Sequence, residues 1–218
     1  MAGRRRCFGM LPYRVKALEL LEASGVRLPA TIAILFLVAA SSHAGEFSTQ
    51  ILAEVNLART QPQHYAQIVE GRFGSGGSSA VREAVRFLQK AKPLRPLAYS
   101  TGLNASAWSH VADAGPRGAM GHSGSGGSSP FSRMSRQGRW IGRAGENIYY
   151  GPQDARGIVV ALIIDEGVFG RGHRKNIFSP AFAVAGVAHG GHARYGAMCV
   201  MDFATGFTGK DLGRVAGL

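Results

Sequence analysis

Gly172-His173-Arg174-Lys175-Asn176-Ile177-Phe178 and, upstream of it, Gly145-Glu146-Asn147-Ile148 are the strings on which the reading of this chain turns. Two more belong with them, Gly121-His122-Ser123 and Ile164-Asp165-Glu166-Gly167-Val168. Imidazole and carboxylate side chains bind metals and move protons near neutral pH. Glycines beside them let another stretch of backbone come close. Two histidines and two acidic positions within about fifty residues therefore make a candidate site.

Outward from these strings, the hydrophobic pattern predicts helices first and paired strands last. Residues 47–69 read as helix, with Ser48 as a cap, Ile51, Leu52, Val55 and Ala58 at helical spacing, and Pro62 opening a second piece. Residues 79–90 carry Val81, Val85 and Leu88 on one face, and Leu103 to Ala114 is a third helix closed by Gly115. The hexamer Gly-Ser-Gly-Gly-Ser-Ser occurs at 74–79 and again at 124–129, and both copies read as flexible loops. Glu146 to Tyr150 is strand-like, and Ile158 to Asp165 is apolar enough to be helix or buried strand. The apolar runs 181–188 and 194–204, around Gly190-Gly191, read as a hairpin. The expected fold class is α+β, in a layered arrangement of helices on a sheet.

The front of the chain has a different character. Arg4-Arg5-Arg6, Arg14, Lys16 and Arg27 precede the apolar run Ala30 to Ala40, and Ser42-His43-Ala44 places small residues where a signal peptidase reads. Residues 1–44 are thus expected to be a secretory signal peptide, with Met10 as an alternative start and an uncleaved anchor as the alternative fate. The run is short against the roughly 20 apolar residues of a membrane span. Residues 45–218 are the expected folded domain.

Of the 218 residues, 25 are Lys or Arg and 13 are Asp or Glu, a net charge of +12. Removing the leader's six basic and two acidic residues leaves 174 residues with 19 basic and 11 acidic, net +8. Such a surface favours anionic partners, but the charges are scattered and lack the Lys/Arg blocks of a nucleic-acid site. No nucleic-acid partner is expected. With Cys7 in the leader, the domain keeps Cys199 alone, so no internal disulfide holds it together. Cys199 sits in an apolar run and reads as a buried, inert thiol.

Taken in order, these strings resemble the CAP superfamily (cysteine-rich secretory proteins, antigen 5, pathogenesis-related 1; the SCP domain), in its bacterial secreted branch. Asn56, Arg59 and Pro62 are similar to its opening helix, and Pro93-Leu94-Arg95-Pro96-Leu97, Leu103, Ala107 and Trp108 to the next block. His122-Ser123, Gly145-Glu146-Asn147-Ile148, Gly172 to Ile177, Phe182, Gly186-Val187 and Asp202-Phe203 complete the set, over residues 50–205. The resemblance implies a three-layer α-β-α sandwich with a shallow cleft where two His and two acidic residues meet, able to hold a divalent metal in some members. His122, Glu146 and His173 carry over directly. The fourth position falls on Asp165-Glu166, with Glu166 favoured and Asp165 the alternative. The resemblance also implies lipid or sterol binding in some members.

Two imidazoles suit Zn²⁺ or another divalent metal, weakly bound, with Glu146 and Glu166 coordinating or orienting the rings. For catalysis Glu146 and Glu166 are the candidate bases, with a histidine activating water or Ser123, but the chain has no nucleophile elbow and no His-Glu-x-x-His string. A scaffold role, with His–carboxylate bonds tying loops to the sheet, is the plain alternative. His110 reads as a solvated helix residue, His189 and His192 as exposed turn residues, Trp108 as core and Trp140 as loop packing. Arg174 and Lys175 read as solvated charges, and Asn176 as a local cap. The favoured expectation is an exported, periplasmic or secreted, binding module for a lipid, glycan or envelope component, with a secreted hydrolase as the alternative.

Overall fold

The computed structural model describes residues 30–209, and for 30–44 the backbone alone. The basic leader and Cys7 lie outside the described residues, as do residues 210–218. The chain divides into a unit ending at Ser41 and a second beginning at Ser42, and everything below concerns the second.

In chain order the elements are α1 (Ala30–Thr60), α2 (Pro62–Phe73), α3 (Ser79–Lys90), β1 (Ala98–Tyr99), α4 (Thr101–Arg117), α5 (Pro130–Gln137), β2 (Gly138–Tyr150), α6 (Ala155–Ile164), α7 (Gly172–Ile177), β3 (Val184–His192) and β4 (Gly196–Gly209). Helix α2 opens on Pro62, whose fixed φ suits a first helical turn. Each glycine-serine hexamer contains a 3₁₀ turn and supplies the serine that caps the next helix. Ser78 accepts from Val81 N at the start of α3, and Ser129 from Ser132 N at the start of α5. Asp154 caps α6 in the same way, accepting from Gly157 N at 2.6 Å. Ser48, read as a cap, lies inside α1.

The sheet order is β1-β3-β4-β2. Strand β1 pairs parallel with β3, and β3 with β4 and β4 with β2 are antiparallel. Side chains alternate across a strand, and β4 shows it. Cys199, Met201 and Phe203 enter the large core under α1, α2, α3 and α6, while Met198 and Val200 pack against Ala107, Val111 and Ala114 of α4. Helices therefore cover both faces, giving the expected α-β-α sandwich. Cys199 is buried as expected, and burial pushes its thiol pKa up. Segment 158–165, undecided by periodicity, is helix α6 up to Ile164; being buried nearly all round, it has no polar stripe to reveal its period.

Helix α4 lies unusually close to β3. A Cβ on Gly186 would stand 2.0 Å from Asn104 N and 2.2 Å from Leu103 C, and one on Gly115 would stand 2.3 Å from Gly191 O. Gly115 is thus an approach point within the helix, which runs on to Arg117 and ends at left-handed Gly118. Packing on the two faces of β3 overturns several of the sequence readings. His110 is fully buried beneath the helix, and His192 is buried at the end of β3. His189 is a strand residue edge-on to Phe47. Trp108, read as core, is half exposed, and Trp140 lies in β2 against Phe131. Among the described residues no helix is long and apolar enough to cross a membrane.

Candidate functional site

Strand β2 is the outer edge of the sheet, and the string Glu146-Asn147 sits at its centre with consecutive side chains on opposite faces. Glu146 is opposite Asp202 and one register step from Ile148, on the α4 side; Asn147 is opposite Met201, on the α6–α7 side. The four acidic and imidazole positions therefore assemble as two dyads, one reached from each face.

On the α4 side, the loop after that helix brings His122 to Glu146. His122 Nδ1–H donates to Glu146 Oε1 at 2.7 Å; a carboxylate only accepts, so the tautomer follows from the partner. The Glu146 side chain is 1 % exposed, while that of His122 is 52 % exposed. Arg133 of α5, also buried, donates Nη2 to Glu146 Oε2 at 2.6 Å, and Nη1 to the carbonyls of His122 and Ser128. Both oxygens of Glu146 are thus engaged, which makes it an orienting group for the ring rather than a free ligand. Ser123 is exposed, and the neighbouring imidazole is turned toward Glu146 instead.

On the other side, Asp165 follows the last turn of α6 in left-handed conformation (φ 55°), one of two non-glycine residues so placed among the described residues. That turn aims its buried carboxylate at the start of α7. Oδ1 accepts from His173 Nδ1 at 2.6 Å and Oδ2 from His173 N at 2.9 Å. Glu166, favoured from the sequence, is exposed on the next turn position. Asp165 and not Glu166 holds the histidine, because the αL residue ending the helix points inward and its successor outward. Arg171 and Arg174 share Glu83, whose carboxyl they hold down at about 2. Arg174, read as a solvated charge, is buried and donates to Ile163 O and Ile164 O as well.

The dyads meet through the strand between them. Asn147 Nδ2 donates to His173 O at 3.0 Å, and Asn176 Nδ2 donates to Asn147 Oδ1 at 2.8 Å and Glu146 O at 3.3 Å. Asn176 is a tie between α7 and β2, not a local cap. Among the described residues no three His, Cys, Asp or Glu side chains gather closely enough to enclose a metal ion. What the two dyads offer is a pair of imidazoles, each held by its Nδ1 with Nε2 making no hydrogen bond.

His173 and Asp165 also line a cavity of about 410 Å³, walled by Phe73, Val81, Tyr149 and Leu162, with Arg72 among its polar groups. That volume lies within the usual range for small-molecule sites. Sequence reasoning missed Arg133 entirely, since a buried arginine on a short polar helix leaves no periodic signal. Asp202 entered it only as a marker of the resemblance, although a lone acid inside an apolar strand run is itself a signal.

The sequence matches the model of the cysteine-rich secretory protein family (CAP) over residues 52–203. Among curated proteins none matches. Among solved structures the chain is similar to an extracellular protein containing an SCP domain from Bacillus anthracis, at 19 % identity over 68 % of this chain and 40 % of that one, TM-score 0.41. An outer surface protein from Borrelia burgdorferi is similar at 12 % identity over 67 % of this chain and 93 % of that one, TM-score 0.44. A cysteine-rich secretory protein from Staphylococcus aureus follows at 13 %, with 59 % and 38 % covered and TM-score 0.37. This chain therefore spans about two fifths of the length of the first and third of these proteins.

Proposed function

The chain belongs to the cysteine-rich secretory protein (CAP) family, and from that premise we propose that it is an exported binding module for a single-chain amphiphile. The tail would occupy the cavity between α2, α6 and β2, and an acidic head would meet Arg72 and His173. The observation that carries this reading is the make-up of that cavity: apolar walls from Phe73, Val81, Tyr149 and Leu162, with Arg72, the Asp165-held His173, Glu166 and Gln153 among its polar lining groups. Pockets of this kind take apolar bodies with one polar end. Export is supported by the basic and apolar leader read from the sequence.

The test is titration of the full chain with a fluorescent long-chain fatty acid, competed by the unlabelled acid. Ala161 lines the cavity from α6, so Ala161→Trp fills the space without touching either dyad. Saturable, competed binding that Ala161→Trp abolishes at unchanged melting temperature supports the reading. Binding that is absent, or equal in the variant, overturns it.

Divalent-metal capture is a second reading, supported by the unengaged Nε2 atoms of His122 and His173. Zinc calorimetry on the chelator-treated chain tests it: one-site binding lost in a folded His122→Ala/His173→Ala variant supports it, and equal binding overturns it. The hydrolase reading has less behind it, because the His122 ring is turned to Glu146 and not to Ser123.

A further inference from the structure

Asp202 sits in the middle of β4, fully buried, and neither of its carboxylate oxygens has a hydrogen-bond partner. Its neighbours in register are Gly186 on β3, which offers no side chain, and Glu146 on β2. Residues directly opposite on antiparallel strands have Cβ atoms about 4.5–5.5 Å apart, so two carboxyl groups stand side by side. From α4 the Ser106 hydroxyl stands beside Asp202, and His110 lies one turn further along. From α5 comes Arg133. Ser106 Oγ, His110 Nδ1 and Arg133 Nε likewise lack partners, so all but one of the orphaned buried polar atoms among the described residues belong to this single neighbourhood.

Charge counting decides how the pair ionises. Arg133 is the one permanent cation facing it, and burial lowers the pKa of His110, leaving that ring neutral near neutral pH. Two buried carboxylates against one guanidinium would leave an uncompensated charge in the sheet, which proteins avoid by protonating a group. Glu146 receives two strong bonds, from Arg133 and His122, whereas no charged donor bonds Asp202, which has only the neutral Ser106 hydroxyl beside it. The proton therefore belongs on Asp202.

We propose that Asp202 is a positioning residue of the His122–Glu146 dyad: it is held as the neutral acid at neutral pH and donates its O–H to the Glu146 carboxylate. Glu146 then has three donors, His122, Arg133 and Asp202, and stays ionised and aimed at the imidazole. Burial and the charge of Glu146 both raise the Asp202 pKa, in agreement with this assignment. The inference rests on the dyad and not on any ligand, so its failure would leave amphiphile binding untouched.

The experiment is infrared spectroscopy of the full chain labelled with ¹³C at aspartate side-chain carboxyls, joined to NMR titration of His122. The expected result is one aspartic-acid C=O band at pH 7, lost in Asp202→Asn. Because Asn copies the neutral acid, the His122 midpoint should not move in that variant. A fall of about half a unit or more would mean that Asp202 had carried a charge. Glu146→Gln, which leaves Asp202 in place, should shift the band without removing it, and it reports even where Asp202→Asn does not fold. No acid band in the wild type, a band surviving in folded Asp202→Asn, or a band unmoved in Glu146→Gln overturns the proposal.

Discussion

Replacing Arg133 by methionine tests whether the Glu146 dyad is held by a buried charge pair. Methionine keeps length and apolar bulk but removes three donations: Nη2 to Glu146 Oε2 at 2.6 Å, and Nη1 to His122 O and Ser128 O, both at 3.0 Å. The two side chains are 3 % and 1 % exposed, so solvent cannot take over the role. Removing one partner of a buried pair costs about 3–5 kcal/mol, because the other charge is left uncompensated. No cation then faces Glu146, but His122 and the protonated Asp202 still donate to it, and the expected loss is the middle of that range, roughly 4 kcal/mol. For a domain of this size that lowers the melting temperature by roughly 10–15 °C. The assay is urea unfolding of wild type, Arg133→Met, Glu146→Gln and the double variant. Once Glu146 is neutral, losing Arg133 should cost only about 1–2 kcal/mol, so the cycle should show a coupling of at least about 2 kcal/mol. A single-variant cost below about 1 kcal/mol, or additivity across the cycle, would refute the account of the dyad.

Asp165→Asn keeps a residue that tolerates the left-handed turn but loses one charge-assisted bond to His173, and should lower stability by about 1.5–3 kcal/mol. Glu166→Gln should change it by no more than about 0.5 kcal/mol, and comparable losses in the two variants would show that the wrong acid has been identified. Gly186→Ala forces a methyl against the backbone of Leu103 and Asn104, and should cost about 3 kcal/mol or more, whereas Gly191→Ala, with open space around its Cβ, should be nearly neutral; equal unfolding midpoints would contradict the α4–β3 contact. For Asp202 the folded pKa is raised above the unfolded value near 3.9, so its contribution is fully present below that value and is lost as pH rises toward the folded pKa. Wild type should therefore lose stability relative to Asp202→Asn as pH rises above the unfolded value, by at most about 1.4 kcal/mol per pH unit. Parallel stability curves for the two proteins would contradict it.

The fold was legible because its helices announce their ends. Ser78, Pro62 and the apolar spacing of Val81, Val85 and Leu88 mark α2 and α3 almost to the residue, and the glycine-separated apolar runs mark the β3–β4 hairpin. Errors came where tertiary contact overrides local pattern. Nothing in the text around His110 says that Gly186 has let α4 settle onto the sheet and enclose that ring. Likewise Gly115 reads as a stop signal until Gly191 O is found against it. The choice between Asp165 and Glu166 hung on a single left-handed residue, a conformation two adjacent acids do not disclose in sequence. The partners of Glu146 come from α5 and β4, and their convergence depends on strand register, which the hydrophobic pattern does not number.

The order Glu146-Asn147 has a physical consequence that either residue alone would not have. An edge strand gives consecutive side chains to opposite layers, so a two-residue string reaches both loops that carry histidine. Glu146 fixes His122 by its carboxylate, while Asn147 fixes the other loop by the His173 carbonyl, leaving that ring to Asp165. Asn176 then closes the connection, holding the Glu146 carbonyl from the far side of the strand. The backbone at residue 146 is therefore clamped by α7 while its side chain is clamped by α5. A displacement of α7 by a molecule entering the cavity would act on the Glu146 carbonyl through Asn176, and from there on the carboxylate that orients His122. The two dyads share one peptide unit, and that shared unit is the route by which a molecule held beside His173 would act on His122.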